Sequence, residues 1–171
     1  VRSFVVYEDA VVRAILLLKF EQSAPLGGCG AAAEVVKAGG NRLAADVVVP
    51  VPLHRERERE RGYNQAALIS KPLAKKLRLP HKAVLLMRTR ARPDKQVLSL
   101  EERWESVRGA FATRPGSQVD NVRVLLVDDV LTTGATLDGC VRMLREAGVK
   151  SVMGLSVARA VRNSLPSTRE W

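Results

Sequence analysis

"VRVLLVDDVLTTGAT", Val122 to Thr136, carries a nearly unbroken apolar stretch into two adjacent aspartates and then into threonines clustered around a glycine. A continuous apolar run of this length reads as a strand buried on both faces, as in parallel sheets covered by helices. The strand is expected over Val122–Val127 and delivers Asp128 and Asp129 to the carboxyl edge of the sheet. There the chain must turn into a helix that begins near Gly134. In "TLDGCVRMLREAG" the residues Leu137, Val141 and Leu144 recur at helical spacing, and Gly148 follows as a terminator.

Three other runs have the same near-continuous character: Val47–Val51, Ala83–Met87 and Val152–Ala158. Strands alternating with helical stretches predict an α/β domain, a twisted parallel sheet flanked by helices, with ligands at the carboxyl ends of the strands. Asn64–Leu79 reads as a helix, but Pro72 in its interior costs about 3 kcal/mol. Either the helix breaks there, or Ser70 caps a new one with Pro72 in its first turn. Apolar helices over Glu8–Phe20 and around Ala31–Ala38 predict a small N-terminal helical hood. Thr89–Val97, with charge, a proline and no periodicity, is expected to be a mobile loop. The expected organisation is one domain over residues 1–171: hood 1–45, α/β core 46–160 and tail 161–171.

A chain of 171 residues, 46% hydrophobic, suffices for one packed core. No apolar run approaches the roughly 20 residues of a membrane-spanning helix, and the start at Val1 does not read as a secretory signal. Cys29 and Cys140 lie far apart with no neighbours at metal-ligand spacing, which predicts neither a zinc site nor a disulfide framework and fits a reducing cytoplasm. The net charge of +10 is uneven: Lys71–Lys95 holds nine Lys or Arg against one acid, Asp94. Such a stretch serves nucleic acid, a polyphosphate ligand or simply a solvated surface, and composition does not choose among them.

Several motifs fail on context. "GCGAAA", Gly28–Ala33, lacks the preceding strand that a dinucleotide fingerprint requires. "VLLVDD" has the look of an NTPase strand ending in magnesium-binding acids, but the chain holds no Gly-x-x-x-x-Gly-Lys-Ser/Thr loop. The two histidines, His54 and His81, have no Ser, Cys or acid at a spacing that suggests a hydrolytic triad.

The opening stretch itself carries chemistry. Carboxylates at Asp128 and Asp129 suit the adjacent hydroxyls of a ribose, bound directly or through a hydrated Mg2+, which prefers oxygen ligands. Behind them Thr132, Thr133, Gly134, Ala135 and Thr136 place backbone N–H groups and hydroxyls at a helix N-terminus, where the partial positive charge favours a phosphate. A helix cap needs one such residue, and five in a row exceed that need. Ribose on one side and phosphate on the other predict a ribose 5-phosphate moiety.

"VLLVDDVLTTGAT" resembles the signature of type I phosphoribosyltransferases, enzymes that bind 5-phosphoribosyl 1-pyrophosphate with Mg2+ and displace pyrophosphate with a nucleophile. "DVVVPVPLHRERERERGYNQA", Asp46–Ala66, and "RTRARPDKQVLSLEERWESVRGAF" are similar to the ComF family, the competence-associated members of that fold. With "YEDAVVRAILLLKF", the likeness covers nearly the whole chain. The loop Leu53–His54–Arg55 follows the first core strand and is rich in cations, as a pyrophosphate-binding loop should be. Arg61 lies inside "RGYNQ", whereas Arg57 and Arg59 alternate with glutamates and read as a solvated segment. The resemblance implies that Gln96 and Arg103 face the ligand and that Asp128 and Asp129 hold the Mg2+. It further implies single-stranded DNA, a competence helicase or other DNA-processing proteins as partners, and it admits a homodimer. The acceptor of a phosphoribosyl group is not readable, so a transferase and a non-catalytic sensor or DNA-binding module stand as the two functions. Three departures stand out: the cysteine cluster that ComF-like proteins often carry is missing, Ser106 replaces the usual Asn, and Pro72 is unusual for the helix after "RGYNQ".

Overall fold

The computed structural model describes residues 2–6, 45–91 and 99–159. The strands are β1 (Arg2–Val6), β2 (Val47–Pro50), β3 (Leu86–Arg88), β4 (Phe111–Thr113), β5 (Arg123–Leu131) and β6 (Ser151–Arg159). The helices are α1 (Arg55–Arg61), α2 (Gln65–Leu77), α3 (Leu100–Glu105) and α4 (Ala135–Glu146). Four strands form one sheet in the order β1-β6-β5-β2, and every pairing in it is parallel.

Alternation explains why the strands are apolar throughout. Successive side chains point to opposite faces, and here both faces are covered. Val47, Val49, Val124 and Leu126 pack with Leu137, Cys140 and Leu144 of α4 on one side. Val48, Leu125, Val127 and Leu155 pack with Ile69, Leu73 and Ala74 of α2 on the other. Each such side chain contributes about 1.5–3 kcal/mol when fully buried.

Four sequence expectations change. Leu86–Arg88 is not a fourth core strand: it pairs antiparallel with β4 in a separate two-stranded sheet, and Arg88 makes an isolated bridge to His54, in the loop after β2. Just upstream, Pro80–Lys82 lies along the free edge of β2, where Val48 donates to the Pro80 carbonyl and accepts from Lys82 N–H. The apolar run Ala83–Met87 is thus a turn at its start and a hairpin strand at its end, which periodicity does not separate. Strand β5 does not stop at Val127, because β6 is long enough to pair with it as far as Leu131.

Helix α2 is continuous through Pro72. Asn64 caps it by accepting from Ala66 N–H at 3.0 Å, and burial of Ile69, Leu73 and Ala74 against the sheet offsets the proline's cost. Ser70 is therefore no second cap; it is fully buried, donates to the Ala67 carbonyl and contacts His81 Nε2 at 2.8 Å. This is a Ser–His pair that a spacing of eleven residues did not suggest. Finally, Arg2–Val6, for which the sequence predicts no strand, joins the main sheet beside β6. The expected helices at Glu8–Phe20 and Ala31–Ala38 and most of the loop Thr89–Val97 lie outside the described residues. Among those described, no helix is long and apolar enough to cross a membrane.

Candidate sugar-phosphate site

Asp128 and Asp129 sit half-buried near the carboxyl end of β5, with Asp128 opposite Ser156 of β6. Asp128 Oδ1 accepts from Asp129 N–H at 2.9 Å, and Asp129 Oδ1 accepts from Val130 N–H at 2.8 Å. One oxygen of each carboxylate is thus tied to the adjacent backbone, which fixes the side-chain direction. The extended strand carries consecutive side chains to opposite faces of the sheet, so the two acids do not stand side by side.

The turn from β5 into α4 follows at once. Gly134 is the N-cap of α4 with φ 83°, a left-handed conformation that costs an L-residue with a Cβ about 1–2 kcal/mol. Ala135 N–H reaches Thr133 Oγ1 at 3.4 Å, and the side chain of Gly134 cannot cap because it has none. The first amides of α4 are therefore presented at a helix N-terminus with hydroxyls around them, a setting suited to an anion.

Thr132, Thr133, Ala135 and Thr136 line one side of a small cavity, whose other side is Arg88, Arg103, Ser106 and Val107. The structure thereby brings Arg103 to the threonine turn. A capping box places it: Ser99 Oγ accepts from Glu102 N–H at 3.1 Å while Glu102 Oε2 accepts from Ser99 N–H at 2.8 Å, fixing the short α3 whose last turn holds Arg103. Ser106 Oγ donates to the Arg103 carbonyl at 2.8 Å. Gln96 lies outside the described residues.

The sequence places Arg88 at the start of a basic loop, Arg88 to Gln96, suited to closing over a polyanion; the structure sets it on a strand instead. Arg88 lies in β3 as the register partner of Phe111, with its guanidinium carbon 5.3 Å from the ring centroid and its Nε donating to the Arg90 carbonyl at 3.1 Å. Its signal was a lone arginine closing an apolar run, which reads equally as a loop cation. On the far side of the turn Cys140 of α4 is fully buried, and burial, reinforced by the charge of Asp128, pushes its thiol well above the ordinary range. A thiol held neutral in this way is inert as a nucleophile.

Leu53, His54 and Arg55 follow β2; just past its end Val51 N–H bonds the Val127 carbonyl at 2.8 Å, so this stretch leaves the same sheet edge one strand away from the aspartates. None of the three lines the cavity beside the threonines. His54 is bridged to Arg88, which links that loop to the arginine wall. Arg61 ends α1 and its Nη1 lies 3.5 Å from Gln65 Oε1, at the corner where α1 gives way to α2. Arg57 pairs with Glu60 at 3.3 Å, in keeping with a solvated helix face.

Residues 63–165 match the family model described as "Phosphoribosyl transferase domain". The chain belongs to the phosphoribosyltransferase family. Within it the chain is a ComF member: it is 35% identical over 116 residues to Competence protein F of Haemophilus influenzae, covering 67% of this chain and 51% of that one. To the DNA utilization protein YhgH of Escherichia coli it is 32% identical, covering 68% of this chain and 50% of that protein. The chain thus spans about half the length of these curated relatives. Among solved structures, a purine phosphoribosyltransferase from Pyrococcus horikoshii shares the fold with a TM-score of 0.50, at 15% identity over 78% of this chain and 81% of that one.

Proposed function

We propose that this chain binds 5-phosphoribosyl 1-pyrophosphate with Mg2+ at the carboxyl edge of β5 and transfers the phosphoribosyl group to an acceptor. The observation that carries the reading is the succession, on one strand and its turn, of Asp128 and Asp129, the left-handed Gly134 and the threonines, with Arg88 and Arg103 closing the cavity that the threonines, though not the aspartates, line. The turn Thr132–Thr136 takes the 5-phosphate, the aspartates take the ribose hydroxyls, and the Leu53–Arg55 loop and Arg61 serve the pyrophosphate end. Gln96 and Arg103 complete the enclosure.

The donor set suits Mg2+, a hard ion that keeps several waters and is usually bound by one or two carboxylates together with ligand oxygens. Asp128 and Asp129 supply carboxylates, and no group of three His, Cys, Asp or Glu gathers among the described residues, so the ion would arrive largely on the ligand's own oxygens. When bound, it neutralises charge on the departing pyrophosphate. The chain's own part is to hold the sugar, exclude water and stabilise the leaving anion with cations.

The test is calorimetry of the sugar pyrophosphate with Mg2+ on the wild type and on Asp128→Asn/Asp129→Asn. Binding by the wild type and its loss in the variant support the assignment; unchanged binding by the variant sinks it. The relatives' names, competence protein and DNA utilization protein, favour a second reading in which the fold serves DNA handling in competence without turnover. Pyrophosphate release with a panel of amines and bases separates the two: release marks a transferase, and ligand binding without release marks a sensor.

A further inference from the structure

The exposed side of α2 and the strand edge that follows it form a cationic surface apart from the cavity. Lys71, Lys75, Lys76 and Arg78 lie on or at the end of α2, and Lys82 lies two residues beyond the β2 edge contact of Pro80; all five are exposed. Arg114 shares an open groove with Lys82 and is exposed as well. None of these six side chains makes an ion pair or hydrogen bond to the described residues, and the sequence has no acid anywhere from Gln65 to Ala91. The cluster is joined across the fold where Ser70, next to Lys71, contacts at 2.8 Å the Nε2 of His81, the neighbour of Lys82. The helix dipole accounts for Lys75 and Lys76 in the last turn, but not for Lys71 in the middle of the helix or for Lys82 beyond it.

We infer that this surface docks the phosphate backbone of duplex DNA, without reading sequence and independently of the sugar-phosphate site. Lys71 to Arg78 spans about 10 Å along the helix axis, the length of about three successive phosphates of one strand. No Phe, Tyr or Trp occurs from Asn64 to Ala91, so the surface offers single strands no stacking platform and depends on charge density, which is highest on a duplex. The apolar face of α2 is buried against the sheet, and the exposed Leu68 and Val84 stand singly among these cations, short of the continuous apolar face that a lipid-inserting helix presents. Helix α2 leaves the ligand edge at its N-terminus and carries these lysines away from it, so both ligands fit at once.

The experiment is fluorescence anisotropy of a short random-sequence duplex between about 50 and about 200 mM salt. Lys71→Gln/Lys75→Gln/Lys76→Gln is expected to lower the slope of log affinity on log salt by about 2.7, about 0.9 per lost phosphate contact, and to weaken binding at least about tenfold at the low-salt end, with an unchanged unfolding midpoint. Arg142→Gln/Arg145→Gln/Lys150→Gln removes the same charge from the α4 side and is expected to change the slope by less than about 1. The inference is overturned if the first variant binds like wild type, or if the second loses as much as the first. Tighter binding of the corresponding single strand, or adsorption to anionic vesicles in place of DNA, overturns it equally. Asp128→Asn/Asp129→Asn retains full duplex binding, so failure here and failure of the sugar-phosphate assignment are read separately.

Discussion

Arg88 and Phe111 are register partners across the β3–β4 hairpin, and the guanidinium lies over the ring at 5.3 Å from its centroid. The ring is 4% exposed while the arginine lines the cavity, so a core aromatic aims a cation at the threonine turn. A cation–π contact of this kind contributes about 0.5–2 kcal/mol, and Lys does not reproduce the planar fork that meets a phosphate at two points. Arg88→Lys should therefore weaken binding of the sugar pyrophosphate about tenfold with an unchanged unfolding midpoint. Calorimetry with parallel thermal melts checks this; equal affinity would remove Arg88 from the site.

Gly134→Ala separates the turn's geometry from its stability. The residue holds φ 83°, and a Cβ there would meet nothing nearer than Leu131 Cδ1 at 3.9 Å, so the cost is conformational and not steric crowding. A loss of about 1 kcal/mol in urea unfolding is expected. Relaxing the turn to escape the strain moves the first amides of α4, so ligand affinity should fall further than stability does. A variant that loses stability and keeps full affinity would show that the turn does not hold the phosphate.

Much of this site was legible because each of its parts is local. The apolar run, the paired aspartates and the threonine turn are consecutive, and their chemistry follows from their order. What was not legible depends on contacts between distant residues. Arg88 becomes a wall of the cavity only because β3 folds back on β4, and Ser70 meets His81 only because Pro80–Lys82 is drawn onto the free edge of β2. Pro72 argued for a break from local propensity, and the packing of Ile69 and Leu73 outweighed it. The strand β1 was hidden because a short parallel edge strand takes its stability from its neighbour β6 and not from its own pattern.

Asp46 and Arg123 tie the starts of β2 and β5 together, with Asp46 Oδ2 accepting from Arg123 N–H at 2.8 Å and from its Nε at 3.0 Å. The side-chain hydrogen bond from Arg123, followed by its backbone N–H, holds the Asp46 carboxyl down at about 2, against an ordinary value of 3.8. A carboxyl depressed in the folded state stabilises above its unfolded value, and that contribution is lost as pH falls from about 3.8 through about 2. Asp46→Asn should accordingly be less stable than wild type at neutral pH, and most of the gap should close by pH 2. The pair is on the surface, so added salt should narrow the gap as well. Urea midpoints of both proteins across that range decide it; a gap that persists at the acid end would mean that the asparagine perturbs something other than the carboxylate.

Gly139, in α4, tests how tightly the hairpin is pressed onto the helix beside the site. A Cβ there would stand 2.9 Å from Phe111 Cδ2 and 3.0 Å from Cε2, with the Val107 carbonyl at 3.4 Å. Alanine gains about 1 kcal/mol of helix propensity over glycine, whereas overpacking of a filled core costs about 1–3 kcal/mol. Phe111 is buried and carries Arg88 on its face, so its ring has little room to give. Gly139→Ala is expected to be destabilised by about 1 kcal/mol despite the better helix former, and to displace Arg88 as the ring shifts. The measurements are the urea midpoint and sugar-pyrophosphate affinity on one preparation. A stabilised variant would mean that the hairpin lifts freely from α4, and the cavity wall would then be a mobile part of the site.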